Sequence, residues 1–157
     1  MKRIYTTETF ELPTWRKVGL MITLVLCVGG CVLTIWQLQE DPVFLIATLV
    51  FLLVSVSMYF YMHAKLEISD EGIVFFNGMK SLHIDWNTIS SVDLKLVGKY
   101  SDPQIFIHYN NTKLSLAASF YGKKQLKGIL DLLEMKVAPD LFTPAYQQLR
   151  TERLQSA

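Results

Sequence analysis

Two uninterrupted apolar runs dominate the first part of the chain. Residues 18–36 read VGLMITLVLCVGGCVLTIW, residues 43–62 read VFLIATLVFLLVSVSMYFYM, and neither contains a charge. About 20 apolar residues of helix cross a bilayer core, so the pattern predicts two transmembrane helices. Between them lies only QLQEDP, residues 37–42. That is enough for a turn, which predicts an antiparallel hairpin with both chain ends on one side.

From residue 64 the period falls to two, the signature of half-buried strands. Six segments are expected as strands: AKLEIS (64–69), IVFFN (73–77), SLHIDW (81–86), ISSVDLKLV (89–97), QIFIHY (104–109) and TKLSLAAS (112–119). Asp70-Glu71-Gly72 reads as a tight turn with Gly72 supplying a positive φ, Gly78 as a second turn, and Asn110-Asn111 as a hairpin turn. Residues 98–103 read as a loop closed by the Asp102-Pro103 breaker. Within SLHIDWNTISSVDL, Leu82, Ile84 and Trp86 should line the inner face of a strand. Asn87 and Thr88 would turn the corner and Ile89 would resume the core, which makes Trp86 a core anchor.

The period then changes again. In YGKKQLKGILDLLEMK, Leu126, Ile129, Leu130 and Leu133 fall at i, i+3, i+4 and i+7, so an amphipathic helix is expected with one face to bury. Ser119 reads as its N-cap and Pro139 as its limit. The fold class that results is a membrane α-hairpin plus an α+β domain. That domain is an antiparallel β-sandwich or partly open barrel capped by a C-terminal helix. The divisions are a cytoplasmic segment 1–17, the hairpin 18–62, the β domain 64–136 and a tail 137–157.

Charge decides the orientation. Lys2, Arg3, Arg16 and Lys17 precede the first helix and Lys65 and Lys80 follow the second, whereas the connection carries Glu40 and Asp41 and no basic residue. The positive-inside rule then puts both termini in the cytoplasm and the protein in the inner membrane as a multi-pass chain. Trp15, Trp36, Tyr59 and Tyr61 sit where an interfacial aromatic belt is expected. Val28-Gly29-Gly30-Cys31 resembles a lipoprotein cleavage box, but VLTIW follows it where a polar tether belongs, so the run is expected to be retained. Cys27 and Cys31 share a helical face, and no further cysteine offers a disulfide framework. With Gly29 and Gly30 they form a small-residue face suited to close helix packing, within the hairpin or in a homo-oligomer.

Hydrophobic residues make up 51% and charged residues 18% of the chain, at a formal net charge of +1. This balance gives no support for nucleic-acid binding, which normally shows a basic stripe and a high pI. His63, His83 and His108 have no partner at metal-ligand spacing, and no nucleophile-elbow, zincin, Walker or dinucleotide-binding motif occurs. Neither metal nor cofactor is expected, and no catalytic constellation is visible. From residue 64 onward eleven basic residues stand against ten acidic ones, too even to draw the domain to an anionic membrane. Lys123, Lys124 and Lys127 form the one local cluster, a candidate surface for anionic lipid or a partner. It lies in the first turns of the last helix, where the macrodipole disfavours cations.

Taken together, LEISDEGIVFFNG (66–78), then HIDWNTISSVDL (83–94) with Trp86, two residues and Ile89, then a closing helix, resemble the bacterial pleckstrin-homology-like domains attached to membrane hairpins. The resemblance covers residues 64–136 and implies a seven-stranded fold, one strand more than the pattern yields. It also implies a non-enzymatic scaffold that presents strand edges to a protein partner at the inner membrane surface. Its alternatives are a sensor of anionic lipid headgroups and an accessory subunit of a membrane transporter or enzyme complex.

Overall fold

Both apolar runs are helical in the computed structural model, which describes residues 7–37 and 43–150. The first helix, α1, spans Thr14–Gln37 and the second, α2, Phe44–His63. At 1.5 Å per residue they are roughly 36 and 30 Å long, and both are long and apolar enough to cross a membrane. Leu26 and Leu53 are 69% and 67% exposed, which is not how the core helix of a soluble domain buries its leucines. The QLQEDP connection lies, apart from Gln37, outside the described residues.

Small and polar side chains join the two helices. A Cβ at Gly30 would sit 3.1 Å from the Phe51 ring, so the missing side chain is what lets the ring approach. The Thr34 and Thr48 hydroxyls are hydrogen-bonded at 2.8 Å, and Cys31 Sγ lies 3.9 Å from the Thr48 carbonyl oxygen. Close approach and polar contacts of this kind drive helix association in lipid, where apolar surface gains nothing by pairing. Ser55 and Ser57 donate to the carbonyls of Phe51 and Leu53, one turn back.

Among the described residues seven strands form two sheets, one strand more than the alternation indicated. β1 (Glu8–Glu11), β2 (Lys65–Ile68), β3 (Gly72–Phe76) and β4 (Ser81–Asp85) make one sheet in that order; β5 (Ile89–Val97), β6 (Asp102–Tyr109) and β7 (Thr112–Ala117) make the other. The additional strand, β1, precedes the helices, so the helix pair is inserted between two neighbouring strands of one sheet. Its sequence ETFE buries only Phe10, too short a signal for periodicity to register. Phe10 joins the core and meets Gly128 of the helix α4 (Lys123–Lys136), where a Cβ would lie 3.4 Å from the ring.

Contacts divide the chain into two units. The described residues of Leu12–Lys65 and Phe76–Ser81 form one; those of Met1–Glu11, Leu66–Phe75 and Leu82–Ala157 form the other. The second unit has a single core. Leu66, Ile68, Ile73 and Ile84 from the first sheet, Val92, Leu94, Ile105, Ile107, Leu114 and Leu116 from the second, and Leu126, Ile129, Leu130 and Leu133 of α4 belong to it. Ile84 and Trp86 are buried as the alternation required, and Leu82 is partly buried against the same cluster. The corner begins one residue early, as a 3-10 turn over Trp86–Thr88.

Four local expectations are corrected. Gly72 does not have a positive φ; it is glycine because a Cβ would fall 2.3 Å from the Ile84 carbonyl oxygen on β4. Asp102-Pro103 does not break the chain but opens β6, with Pro103 opposite Leu96. Pairing with β7 stops at Gln104, so the proline's missing N–H falls where β6 has no neighbour on that side. Ser119 is not the cap of the long helix. It lies in the short helix α3 (Ala118–Tyr121), its N–H bonded to Asp102 Oδ2 at 3.1 Å, and Gly122 separates α3 from α4. Residues 137–149 are not a separate tail but fold back through a 3-10 turn at Pro139–Leu141 and the helix α5 (Pro144–Leu149), burying Tyr146 in the common core.

Phe10→Ala should therefore destabilise the β unit by about 3–5 kcal/mol, the usual cost of deleting a core phenylalanine, although residue 10 precedes both helices. Urea unfolding of the detergent-solubilised protein, followed by near-ultraviolet circular dichroism, measures it. Gly72→Ala should be at least as damaging, whereas Ser115→Ala on the exposed face should be neutral.

Candidate interaction surface

Antiparallel register assembles a surface from three strands. Ser91, His108 and Lys113 lie in one row across β5, β6 and β7; Asp93, Phe106 and Ser115 form the next, and Lys95, Gln104 and Ala117 the third. Neighbouring residues on each strand face the core, so these nine share the outer face of the sheet. Phe106 is at its centre. The ammonium groups of Lys95 and Lys113 lie 6.0 and 5.8 Å from its ring centroid on opposite sides of the strand, within cation–π range. Ser115 donates to Gln104 Oε1 at 3.2 Å.

At the hairpin end of this face is a shallow depression of about 440 Å³ lined by Ser90, Ser91, His108, Asn111, Thr112 and Lys113. Each lining side chain carries a hydrogen-bond donor and none is a carboxylate. The β5–β6 register shifts between Ile89 and Ser91, beside the depression, and Ser90 Oγ donates to the His108 carbonyl at 3.2 Å. Asn110 and Asn111 adopt φ of 42° and 59°, the left-handed pair that a two-residue hairpin turn requires.

Beside this face the open edge of β5 is closed by the chain itself. Phe142 makes a parallel bridge to Val92, and Thr143 N–H donates to the Val92 carbonyl at 3.1 Å. Asp93 is the hinge of this closure. Its carboxylate, in a residue only 6% exposed, accepts from Leu94 N–H at 2.9 Å and from Thr143 Oγ1 at 2.6 Å, and pairs with Lys95 Nζ at 2.6 Å. Burial by itself would raise the Asp93 pKa. The hydrogen bonds from Lys95, Thr143 and Leu94 outweigh it and hold the carboxyl below its ordinary value.

Further along, Tyr146 donates to Glu134 Oε1 at 2.7 Å, and Arg150 donates to the same oxygen from Nε at 2.9 Å while its Nη2 reaches Asp131. Burial, reinforced by Glu134, raises the Tyr146 pKa. Burial opposes the Arg150 charge, and Glu134 and Asp131 more than compensate for it. These contacts tie the tail to α4.

A second concavity, of about 500 Å³, lies at the corner between Trp86 and the end of α4, with Asn87, Glu134, Lys136, Val137 and Leu141 in its wall. Glu134, Lys136 and Trp86 in it are already engaged. Lys136 is buried and paired with Asp70, and Trp86 Nε1 donates to the Ser69 carbonyl at 3.1 Å. Trp86 thus locks the β2–β3 turn to the corner, consistent with its expected place as a core anchor.

The residues singled out from the sequence are placed as follows. Lys123 and Lys124 are exposed in the first turn of α4, and Lys127 is half-buried beyond them. Gly30 and Cys31 face α2, whereas nothing lies within 4 Å of a Cβ at Gly29; Cys27 and Cys31 are both free thiols. His63 Nδ1 lies 2.8 Å from the Tyr59 carbonyl inside α2, while His108 lines the sheet depression and His83 is exposed on β4. Among the described residues no three His, Cys, Asp or Glu side chains gather to hold a metal. Phe106, Lys113 and Asp93 escaped sequence reasoning because their significance arises from cross-strand register, which a single alternating strand does not reveal.

Comparison with protein-family models, curated proteins and solved structures gives no match.

Because the Asp93 pKa is lower in the folded state, its contribution to stability is complete above the unfolded value of about 3.9. It is lost as the pH falls through the still lower folded value. Asp93→Asn should flatten this acid-dependent loss in urea midpoints measured from pH 6 to pH 2.5. Thr143→Val should lower the midpoint at neutral pH by the equivalent of about 1–2 kcal/mol.

Proposed function

We propose that the protein is a non-enzymatic, multi-pass protein of the inner membrane whose cytoplasmic pleckstrin-homology-like domain binds a protein partner at the membrane surface. Support for the fold reading comes from four strands and three strands in separate antiparallel sheets, a following amphipathic helix in the common core, and the Trp86 corner. From β2 to α4 the strands precede the helix, as in the resemblance, while β1 before the helices is an addition to it.

Topology supports the placement of the ends. The chain enters α1 shortly after β1 and leaves α2 directly before β2, and β1 and β2 are neighbours in one sheet. Paired strands are about 4.8 Å apart, which supports the reading that the apolar excursion starts and finishes on one side of a bilayer. The distribution of Lys and Arg supports the cytoplasm as that side.

The observation that carries partner binding is Phe106, flanked by Lys95 and Lys113 on an open sheet face. Asp93 neutralises Lys95, whereas Lys113 has no carboxylate partner among the described residues. An aromatic surface with one uncompensated ammonium and a fringe of hydroxyls suits a partner segment carrying an acidic side chain beside an apolar one. Anionic-lipid sensing is the second reading, and Lys123 and Lys124, exposed side by side, favour it. The open surface at Gly29 is what an accessory subunit, or a homo-oligomer, would use.

A photo-crosslinking residue placed at Phe106 in native membranes should give a discrete protein adduct. Lys113→Glu should abolish that adduct, and the same probe at Tyr100 should not form it. Identical adducts from both positions, or none from 106, would refute binding through this face. Lipid sensing instead expects lipid adducts near α4 that disappear when Lys123, Lys124 and Lys127 are together changed to Glu.

A further inference from the structure

The turn between β3 and β4 belongs to the helix unit: Phe76–Ser81 cluster with Leu12–Lys65. Its construction is tight. Asn77 N–H donates to the Lys80 carbonyl at 3.2 Å, and Asn77 Oδ1 accepts from Met79 N–H at 3.0 Å and Lys80 N–H at 2.9 Å. Gly78 is held at φ 91°. It lies directly against the backbone of α2, so that a Cβ would fall 2.3 Å from the Phe60 carbonyl oxygen and 2.8 Å from its Cα. Positive φ and backbone contact both demand glycine.

Phe60 is inside the apolar run, before the helix ends at His63. The turn is therefore level with residues that the membrane reading puts at or inside the bilayer boundary. The surrounding side chains have the character of an interface. Trp15 is exposed with the Arg16 guanidinium 4.9 Å from its ring centroid, and Tyr59 and Tyr61 are exposed near the end of α2. Aromatic rings and basic groups of this kind collect at headgroup level. Met79 is 65% exposed in the same unit, and Lys80 beside it has an apolar stem and a charged end that can reach headgroups.

From this placement we infer that Asn77–Lys80 is a lipid-contacting tip, with Met79 entering the boundary between headgroups and acyl chains and Lys80 meeting headgroup phosphate. The partner is the bilayer itself. The inference rests on the reading of α1 and α2 as membrane spans and adds a third point of attachment to them. An unbranched, polarizable side chain suits this place because it adapts to an irregular lipid surface.

The test uses the full chain with Cys27→Ser and Cys31→Ser, reconstituted in nanodiscs that contain headgroup-level nitroxide lipid or mid-chain nitroxide lipid. A single cysteine at Met79, at Leu53 in the middle of α2, or at Tyr100, 89% exposed in the β5–β6 turn, carries an environment-sensitive fluorophore. The label at Met79 should be blue-shifted and quenched by the headgroup-level nitroxide, the label at Leu53 quenched by the mid-chain nitroxide, and the label at Tyr100 quenched by neither. Adding Gly78→Val, which cannot lie against Phe60, should return the Met79 label to the Tyr100 values with Leu53 unaffected. A water-like Met79 label beside a quenched Leu53 label would overturn the tip and leave the membrane spans standing. An unquenched Leu53 label would overturn both.

Discussion

One demand organises the molecule: β1 and β2 must meet in a sheet although α1 and α2 lie between them in sequence. An apolar excursion from a sheet can satisfy this only by returning to where it began, which takes an even number of comparable helices. The pair here supplies 24 and 20 residues. The two helices, long and apolar enough to cross a membrane, meet through Gly30 against Phe51 and through the Thr34–Thr48 hydroxyl pair. Phe10 fixes β1 into the core of the β unit.

An unclosed pair of sheets leaves edges, and an edge is a template for unwanted pairing. At β5 the protein uses a buried carboxylate to settle the matter. Asp93 satisfies the N–H of its own neighbour Leu94, fixes the hydroxyl of Thr143 and is paired with Lys95, so the charge is compensated where it is buried. The returning segment then takes the Val92 carbonyl, and Tyr146 and Arg150 hold it against α4. This closure removes the edge at Val92 as a place for a partner strand. What remains open on this sheet is its outer face, and that face carries Phe106.

What could be read from the chain, and what could not, divides along physical lines. Long apolar runs and the 3.6 period of Leu126, Ile129, Leu130 and Leu133 identify elements by themselves, because each reflects one environment over many residues. Trp86 was legible for the same reason: one large apolar side chain in phase with Leu82 and Ile84 has to go inward. β1 was not, since ETFE offers one apolar residue and owes its strand state to β2, which lies beyond both helices. Gly72 reads as a turn glycine but is required by close backbone approach, because the two demands leave the same letter in the sequence. Pro103 reads as a breaker unless the end of β7 is known. Asp93 reads as an exposed polar position until the returning segment covers it.

The same distinction bears on where charge can act. Lys123, Lys124 and Lys127 are close in sequence and therefore conspicuous, yet they start a helix whose dipole opposes them. Lys95 and Lys113 are distant in sequence but are brought to opposite sides of Phe106 by the register of β5, β6 and β7. Asp93 compensates the first and leaves the second available. In a chain with a formal net charge of +1, long-range attraction contributes little. What this face offers is short-range chemistry: one ammonium, one ring and neighbouring hydroxyls.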